Sequence, residues 1–187
     1  MEDRVRIHLV RGPRPLIREP SQSRFPVPRS PSSTILQQAS HIMLRDDFAF
    51  FHTLRVRWAE ADMQGVVFNG HYLTYFDVGF TEYWRATGLP GAPQQAGEGQ
   101  EMFARKATIE YHSPAHFDDV LDIGVRCAAF GRSSMRFTIG IFRGEEHLVA
   151  GELVYVYADT RWRKGVPVPE AWRAAIAAME KLAPQAQ

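Results

Sequence analysis

Asp62 stands three residues ahead of Gly65, and Val66, Val67, Phe68 and Asn69 separate that pair from a segment of helical periodicity beginning near Tyr72. A carboxylate in a loop beside a helix start can take a proton from water, or can itself attack an electron-poor carbonyl carbon. The glycine lets the backbone turn tightly or pass close to a ligand. The helix start leaves N–H groups unpaired and partly positive, which suits an oxygen that gains negative charge during a reaction. Aspartate is also favoured in plain turns and as a helix N-cap, so spacing alone leaves both readings of Asp62 open.

Other residues could do chemistry and read more plainly as structure. Glu82 and Asp77 are rival acids on the helix, but Glu82 falls outside the apolar stripe and is expected solvated or salt-bridged. His71 reads as a surface or cap residue, and Tyr72 as an anchor of the helix start. His112 and His116 flank Pro114 without an acidic pattern that would make a metal site, and His147 is expected exposed in a hairpin. Cys127 alternates with apolar neighbours, as an inert core residue does. It is the one cysteine, which excludes an internal disulfide and any multi-cysteine zinc site. Arg132, Ser133 and Ser134 form a short polar turn that could also bind phosphate through guanidinium and hydroxyl groups. Arg105 and Lys106 are weaker candidates for the same task.

The elements that must position these groups follow from periodicity. His52–Trp58 alternates, with Leu54, Val56 and Trp58 on one face, as a half-buried strand does. Tyr72, Tyr75, Phe76, Gly79, Phe80 and Tyr83 recur at three- and four-residue spacing, which predicts one helix with a strongly apolar stripe, ending near Gly88. A Gly/Pro/Gln loop covers Gly88–Gln100. Four strands follow: Phe103–His112, Val120–Phe130, Ser134–Arg143 and His147–Ala158, the last apolar on both faces. A final helix is predicted near Pro169–Leu182, with Pro at its start. A helix with so broad an apolar stripe needs a sheet wrapped around it. The expected fold is therefore α+β: a five-stranded antiparallel sheet around a long central helix, with an exposed edge that a second copy would cover.

Composition excludes several classes. The 187 residues are 45% hydrophobic and 23% charged, with a formal net charge of +1, so no strong field favours nucleic acid. No apolar run is long enough to span a membrane, and the first 30 residues lack the apolar stretch of a secretory signal. A cytoplasmic location is the expectation. Residues 1–42 hold seven Arg against three acids, a net of +4, and six Pro. Residues 1–45 read as a disordered Arg/Pro/Ser-rich tail, or as an upstream stretch that is not translated, with Met43 as the start; residues 46–187 form the folded domain.

The segment from Arg55 to Asp77 resembles the 4-hydroxybenzoyl-CoA thioesterase-like branch of the hotdog superfamily. The shared pattern is Asp-x-x-Gly-Val/Ile-Val-aromatic followed by a Tyr that opens the central helix, filled here by Asp62, Gly65, Val66, Val67, Phe68 and Tyr72. Thr81–Arg85 with Gly88, and Gly131–Ser134, resemble later parts of the same branch. The resemblance covers about Phe51–Trp162. It implies an acyl-CoA thioesterase with Asp62 as general base or nucleophile and the backbone N–H of Asn69 as oxyanion donor. Gly65, Val67, Phe68, Tyr72, Arg132, Ser133 and Ser134 would contact substrate, the nucleotide lying near the last three at a subunit boundary. Many relatives carry His or Tyr at the position of Asn69. The acyl pocket is expected between the central helix and a second subunit, among Phe68, Tyr75, Phe76 and Phe80. The implied partners are an acyl-CoA and a second copy, as homodimer or homotetramer, with no metal or redox cofactor. Two other readings keep the fold: an acyl-thioester hydratase or dehydratase, which usually needs a catalytic His, and a non-catalytic acyl-CoA-binding dimer.

Overall fold

The computed structural model describes residues 43–89 and 99–187. The tail reading falls, except for Met43, Leu44 and Arg45, outside the described residues, as does most of the loop between Gly88 and Gln100. The element order is β1 (Phe50–Arg55), α1 (His71–Ala86), β2 (Gln100–Tyr111), β3 (Val120–Phe130), β4 (Ser134–Arg143), β5 (Glu146–Asp159), α2 (Glu170–Met179) and β6 (Gln185–Ala186). The main sheet runs β1-β3-β4-β5-β2 with antiparallel neighbours, and α1 crosses it. This is the α+β arrangement expected. A sixth, two-residue strand, β6, adds parallel to the end of β3.

The helix lies where its stripe predicts. Tyr72, Tyr75, Phe76, Gly79, Phe80, Tyr83 and Trp84 are buried, and Phe80 stacks on Tyr155 of β5 with ring centroids 4.5 Å apart. Gly79 permits the close approach to β3, because a Cβ there would lie 2.5 Å from Ile123 Cγ2. Leu121, Ile123, Val125 and Cys127 of β3 and Phe137, Ile139 and Ile141 of β4 complete the same core.

The outer face of the sheet is partly covered from both chain ends. Met43 and Phe48 lie over Gly140 and Gly124, and Arg45 donates to Asp122 at 2.6 Å. On the C-terminal side, Lys181 and Leu182 lie beside Arg126 and Arg136 of this face, while Glu180 caps the edge of β3 toward α1, accepting from Cys127 N at 2.6 Å and from the Tyr83 hydroxyl at 2.5 Å.

Three expectations change. Trp58 is not on an inward strand face: β1 ends at Arg55, Trp58–Glu60 forms a short 3-10 turn, and the indole is 77% exposed. His147 is not a free hairpin residue; its ring is half-buried, stacked on Phe142 at 4.7 Å, with Nε2 3.0 Å from Val149 O. β2 alternates in sequence but buries only Met102, with Ala107 and Tyr111 exposed and Ile109 half-buried, because β5 covers one of its edges and no described element covers the other.

Candidate active site

The Asp62 loop is a small hairpin. Ala61 bridges Val67, Asp62 N donates to Val66 O at 2.9 Å, and Gly65 N donates to Asp62 O at 3.0 Å. Gly65 closes the turn at φ +78°, a left-handed conformation that glycine adopts without cost from a Cβ. One carboxylate oxygen of Asp62 accepts from Gln64 N at 2.7 Å, an Asx turn that orients the side chain. The other has no hydrogen-bond partner among the described residues. The loop is tied to the β2–β3 connection by Val67 N, which donates to Ala115 O at 2.8 Å, and by a bridge between Val66 and His116.

The returning arm leads straight into α1. Phe68 N donates to Glu60 O and His71 N to Phe68 O, both at 2.9 Å, while the N–H of Asn69 between them has no partner among the described residues. Gly70 is the N-cap of α1 and brings no side chain to cap the first turn. That leaves the partly positive helix end open to an anionic oxygen. Asn69 O accepts from the Tyr111 hydroxyl at 3.1 Å, which links the helix start to the end of β2. Tyr72 is buried, and its hydroxyl oxygen accepts from Ala115 N at 3.0 Å. Phe68 is 51% exposed, Val67 is buried, and Met63 projects fully into solvent.

The remaining sequence candidates separate by position. Glu82 pairs with Arg85. Asp77 is exposed on α1. Cys127 is fully buried, and burial pushes its thiol up to about 12. His116 lies 3.8 Å from Asp119. Among the described residues no group of three or more His, Cys, Asp or Glu gathers as metal ligands do. No helix among them is long and apolar enough to cross a membrane.

Arg132, Ser133 and Ser134 sit in the β3–β4 hairpin, held by Tyr157 N on Ser133 O at 2.8 Å and Val168 N on Arg132 O at 2.9 Å. That hairpin is at the far end of β3 from the Asp62 loop. Eleven residues of strand separate them, roughly 35 Å at the usual rise. Within one chain these two groups do not meet. Tyr75, Phe76 and Phe80, expected around an acyl pocket, are each at most 1% exposed and belong to the chain's own core. Of that aromatic set, Phe68 alone is exposed to solvent.

One residue escaped the sequence reading. Glu60 is only 4% exposed, the single charged residue so buried among those described. Its Oε2 accepts from Arg57 N at 2.7 Å and from the Tyr75 hydroxyl at 2.8 Å, and its Oε1 accepts from the Arg57 guanidinium, at 2.9 Å from Nε. Burial acts to raise its pKa, but the Arg57 and Tyr75 hydrogen bonds and the Arg57 charge outweigh it and hold the carboxyl below its ordinary value. Tyr75 is pushed well above the ordinary phenol range by burial and by this carboxylate. Beside Glu60 and Tyr75 lies a cavity of about 240 Å³, walled also by Leu54, Arg57, Thr74 and Val78. A larger one of about 610 Å³, on the outer sheet face among Arg126, Arg136 and Glu152, contains none of the predicted site residues.

A five-stranded antiparallel sheet wrapped around one helix, with an Asp-bearing loop at the helix start, defines a hotdog-fold domain. The comparisons with known proteins make this specific. Residues 64–150 match the model of the Thioesterase superfamily, beginning two residues after Asp62. The acyl-CoA thioester hydrolase YbgC of Escherichia coli is 30% identical over 121 residues, which span 63% of this chain and 88% of that protein. A solved thioesterase from Thermus thermophilus, complexed with coenzyme A and Zn, is 26% identical with a TM-score of 0.63, covering 73% of this chain and 98% of that one. A Pseudomonas aeruginosa structure is 27% identical with a TM-score of 0.64, covering 75% and 97%. The chain belongs to the thioesterase superfamily and is a thioester hydrolase.

Proposed function

We propose that the protein hydrolyses an acyl-CoA thioester to the free acid and CoA, with Asp62 supplying the carboxylate and the Asn69 N–H stabilising the oxyanion. The observation that carries this reading is the pairing of the two groups on one hairpin. The oriented Asp62 carboxylate lies on its outgoing arm, and an unpaired N–H at an uncapped helix start ends its returning arm.

In the reaction Asp62 either takes a proton from the attacking water or bonds to the carbonyl carbon itself. In both routes the carbonyl oxygen becomes an oxyanion, which the Asn69 N–H and the start of α1 receive. Collapse of the tetrahedral species breaks the C–S bond and expels CoA as a thiolate, a good leaving group. A nucleophilic route adds one step, in which water cleaves the acyl–Asp anhydride. Asn69 acts through its backbone, so the absence of His at this position leaves the donor in place.

The family fold, the YbgC similarity and the coenzyme A held by the Thermus relative support the choice of substrate class. Arg132, Ser133 and Ser134 are suited to the CoA phosphates, but reach a site only if a second copy brings its hairpin to the Asp62 loop of the first. The outer edge of β2, which no strand among the described residues pairs, supports such an assembly.

Thiol release from acetyl-, octanoyl-, palmitoyl- and benzoyl-CoA tests the proposal. Turnover is expected for the wild type, with a loss of about 100-fold or more in Asp62→Asn. Cys127 is buried and cannot mimic turnover. Binding of CoA without turnover across the panel would favour the non-catalytic dimer, and turnover unchanged in Asp62→Asn would remove this carboxylate from the mechanism.

A further inference from the structure

We propose that Glu60 is a positioning residue for this hydrolysis: a buried carboxylate that sets the Asp62 loop against α1 and so fixes the distance between Asp62 and the Asn69 N–H. The inference rests on the reading of Asp62 and Asn69 just given.

The hairpin that bears both groups begins and ends at Glu60. Asp62 is two residues beyond it on the outgoing arm. On the return, Phe68 N donates to the Glu60 carbonyl, and Asn69 is the next residue. The base of the hairpin is therefore one backbone carbonyl, and any shift of Glu60 moves both arms. Its side chain holds that base in place from two directions. Arg57 N–H and guanidinium grip it from the end of β1, and the Tyr75 hydroxyl grips it from α1, one turn inside the helix whose first turn lies beside Asn69. Loop, strand end and helix are joined through one group.

The chemistry requires a carboxylate. All four hydrogen bonds on the two oxygens come from donors: Arg57 N and Tyr75 OH on Oε2, Arg57 Nε and Nη2 on Oε1. An amide at this position replaces one accepting oxygen with a donor, which faces both Arg57 guanidinium donors on the Oε1 side or, with the Tyr75 hydroxyl turned to accept, the Arg57 N–H on the Oε2 side. Nor is Glu60 placed to react. Both of its oxygens are occupied, and the Asp62 carboxylate, with one oxygen unpartnered among the described residues, is the group offered to solvent. An ion pair whose Arg57 partner is largely exposed adds little net stability by itself. Fixing one geometry is the role it fits.

The test uses the full chain and the acyl-CoA of the panel turned over fastest by the wild type. Glu60→Gln, Tyr75→Phe and Asp62→Asn are compared by kcat per folded molecule, KM and the pH dependence of kcat, with folding checked by circular dichroism. A misplacement near 1 Å can lower rate by up to about 100-fold, so kcat is expected to fall about tenfold or more in Glu60→Gln and less in Tyr75→Phe. KM should stay within about threefold, and the acid limb of the profile should stay where the wild type has it. A kcat per folded molecule unchanged in both variants would make Glu60 a purely structural residue and overturn the proposal. So would an acid limb that disappears in Glu60→Gln and persists in Asp62→Asn, since Glu60 would then be the titrating base. Should Glu60→Gln not fold, Tyr75→Phe decides alone, because it leaves the Arg57–Glu60 pair intact. Full turnover in Asp62→Asn sinks the earlier assignment, whatever Glu60 does.

Discussion

At the scale of single residues, the proposed site rests on the Gly65 turn, the Asn69 N–H and the buried Glu60 carboxylate. Gly65 adopts φ +78°, and a Cβ there would meet nothing within 4 Å. Gly65→Ala therefore costs only the left-handed conformation, about 1–2 kcal/mol, with no clash added. Denaturant melts should show that loss, and kcat should fall with it as the turn relaxes away from the Asx geometry of Asp62. Glu60 gives a pH signature. Its folded pKa lies below its ordinary value of 4.5, so the stability it contributes is present above that value and is lost as pH falls through the folded pKa. The wild type should exceed Glu60→Gln in stability at pH 7, and the gap should narrow in acid, below pH 4.5. Parallel unfolding curves at pH 7 and in acid check this. Asp62 and Gly65 were legible in the sequence because their motif is contiguous. Glu60 was not, because Tyr75 is fifteen residues away and meets it only once α1 packs beside β1. A weaker local signal was there to find: a Glu three residues after Arg57, the spacing at which a carboxylate returns to the backbone N–H at the start of a turn.

At the scale of elements, helix and sheet meet where glycines remove Cβ atoms. Gly151 on β5 faces Phe76, and a Cβ there would overlap the Phe76 ring and approach Thr108 O at 2.9 Å. The ring is fully buried and cannot swing aside, so Gly151→Ala should destabilise by about 1–3 kcal/mol or more, measurable as a lowered melting temperature. The C-terminal segment gives the opposite pH sign to Glu60. Burial raises the Glu180 pKa more than the Tyr83 and Cys127 hydrogen bonds and the Arg126 charge lower it. A raised folded pKa stabilises fully below the unfolded value, and that contribution is lost as pH rises through the folded one. Glu180→Gln should flatten this part of the pH–stability curve, as thermal melts from pH 4 to 8 would show. The bounds of β3 and β4 agree with the alternation read from sequence, because one face is buried at every second position, Leu121 to Cys127 and Met135 to Ile141, even where Gly124, Gly140 and Phe142 are buried on the other face. β1 was read too long: Val56 is buried and Trp58 continues the alternation, yet the chain turns at Arg57 under the hold of the Glu60 side chain. Periodicity does not register that departure, since the cause is a tertiary contact.

At the scale of the whole molecule, the exposed β2 edge and the divided site pose one problem. β2 runs twelve residues and pairs on one side only among the described residues. Its Tyr111 end touches the start of α1 through Asn69 O, and its Gln100 end lies with the strand ends that flank the 131–134 hairpin. An isologous antiparallel pairing of two β2 strands places the Tyr111 end of one against the Gln100 end of the other. The Asp62 loop of each chain then lies toward the hairpin of its partner. An Ala107→Asp variant, which puts a charge at an exposed position near the middle of that strand, should sediment as a monomer, keep its circular dichroism and lose turnover. A mixing experiment is more stringent. On the proposed function, Asp62→Asn removes the carboxylate from both sites of its homodimer and Arg132→Ala weakens CoA binding at both sites of its own, so each homodimer should be impaired. In a mixed dimer, one site combines an intact Asp62 from one chain with an intact Arg132 from the other. Random reassociation makes half the dimers mixed, each with one restored site, so activity at low substrate should recover to about a quarter of wild type. If Arg132 served the Asp62 of its own chain, no mixed site would be whole, and activity would stay at the average of the two parents.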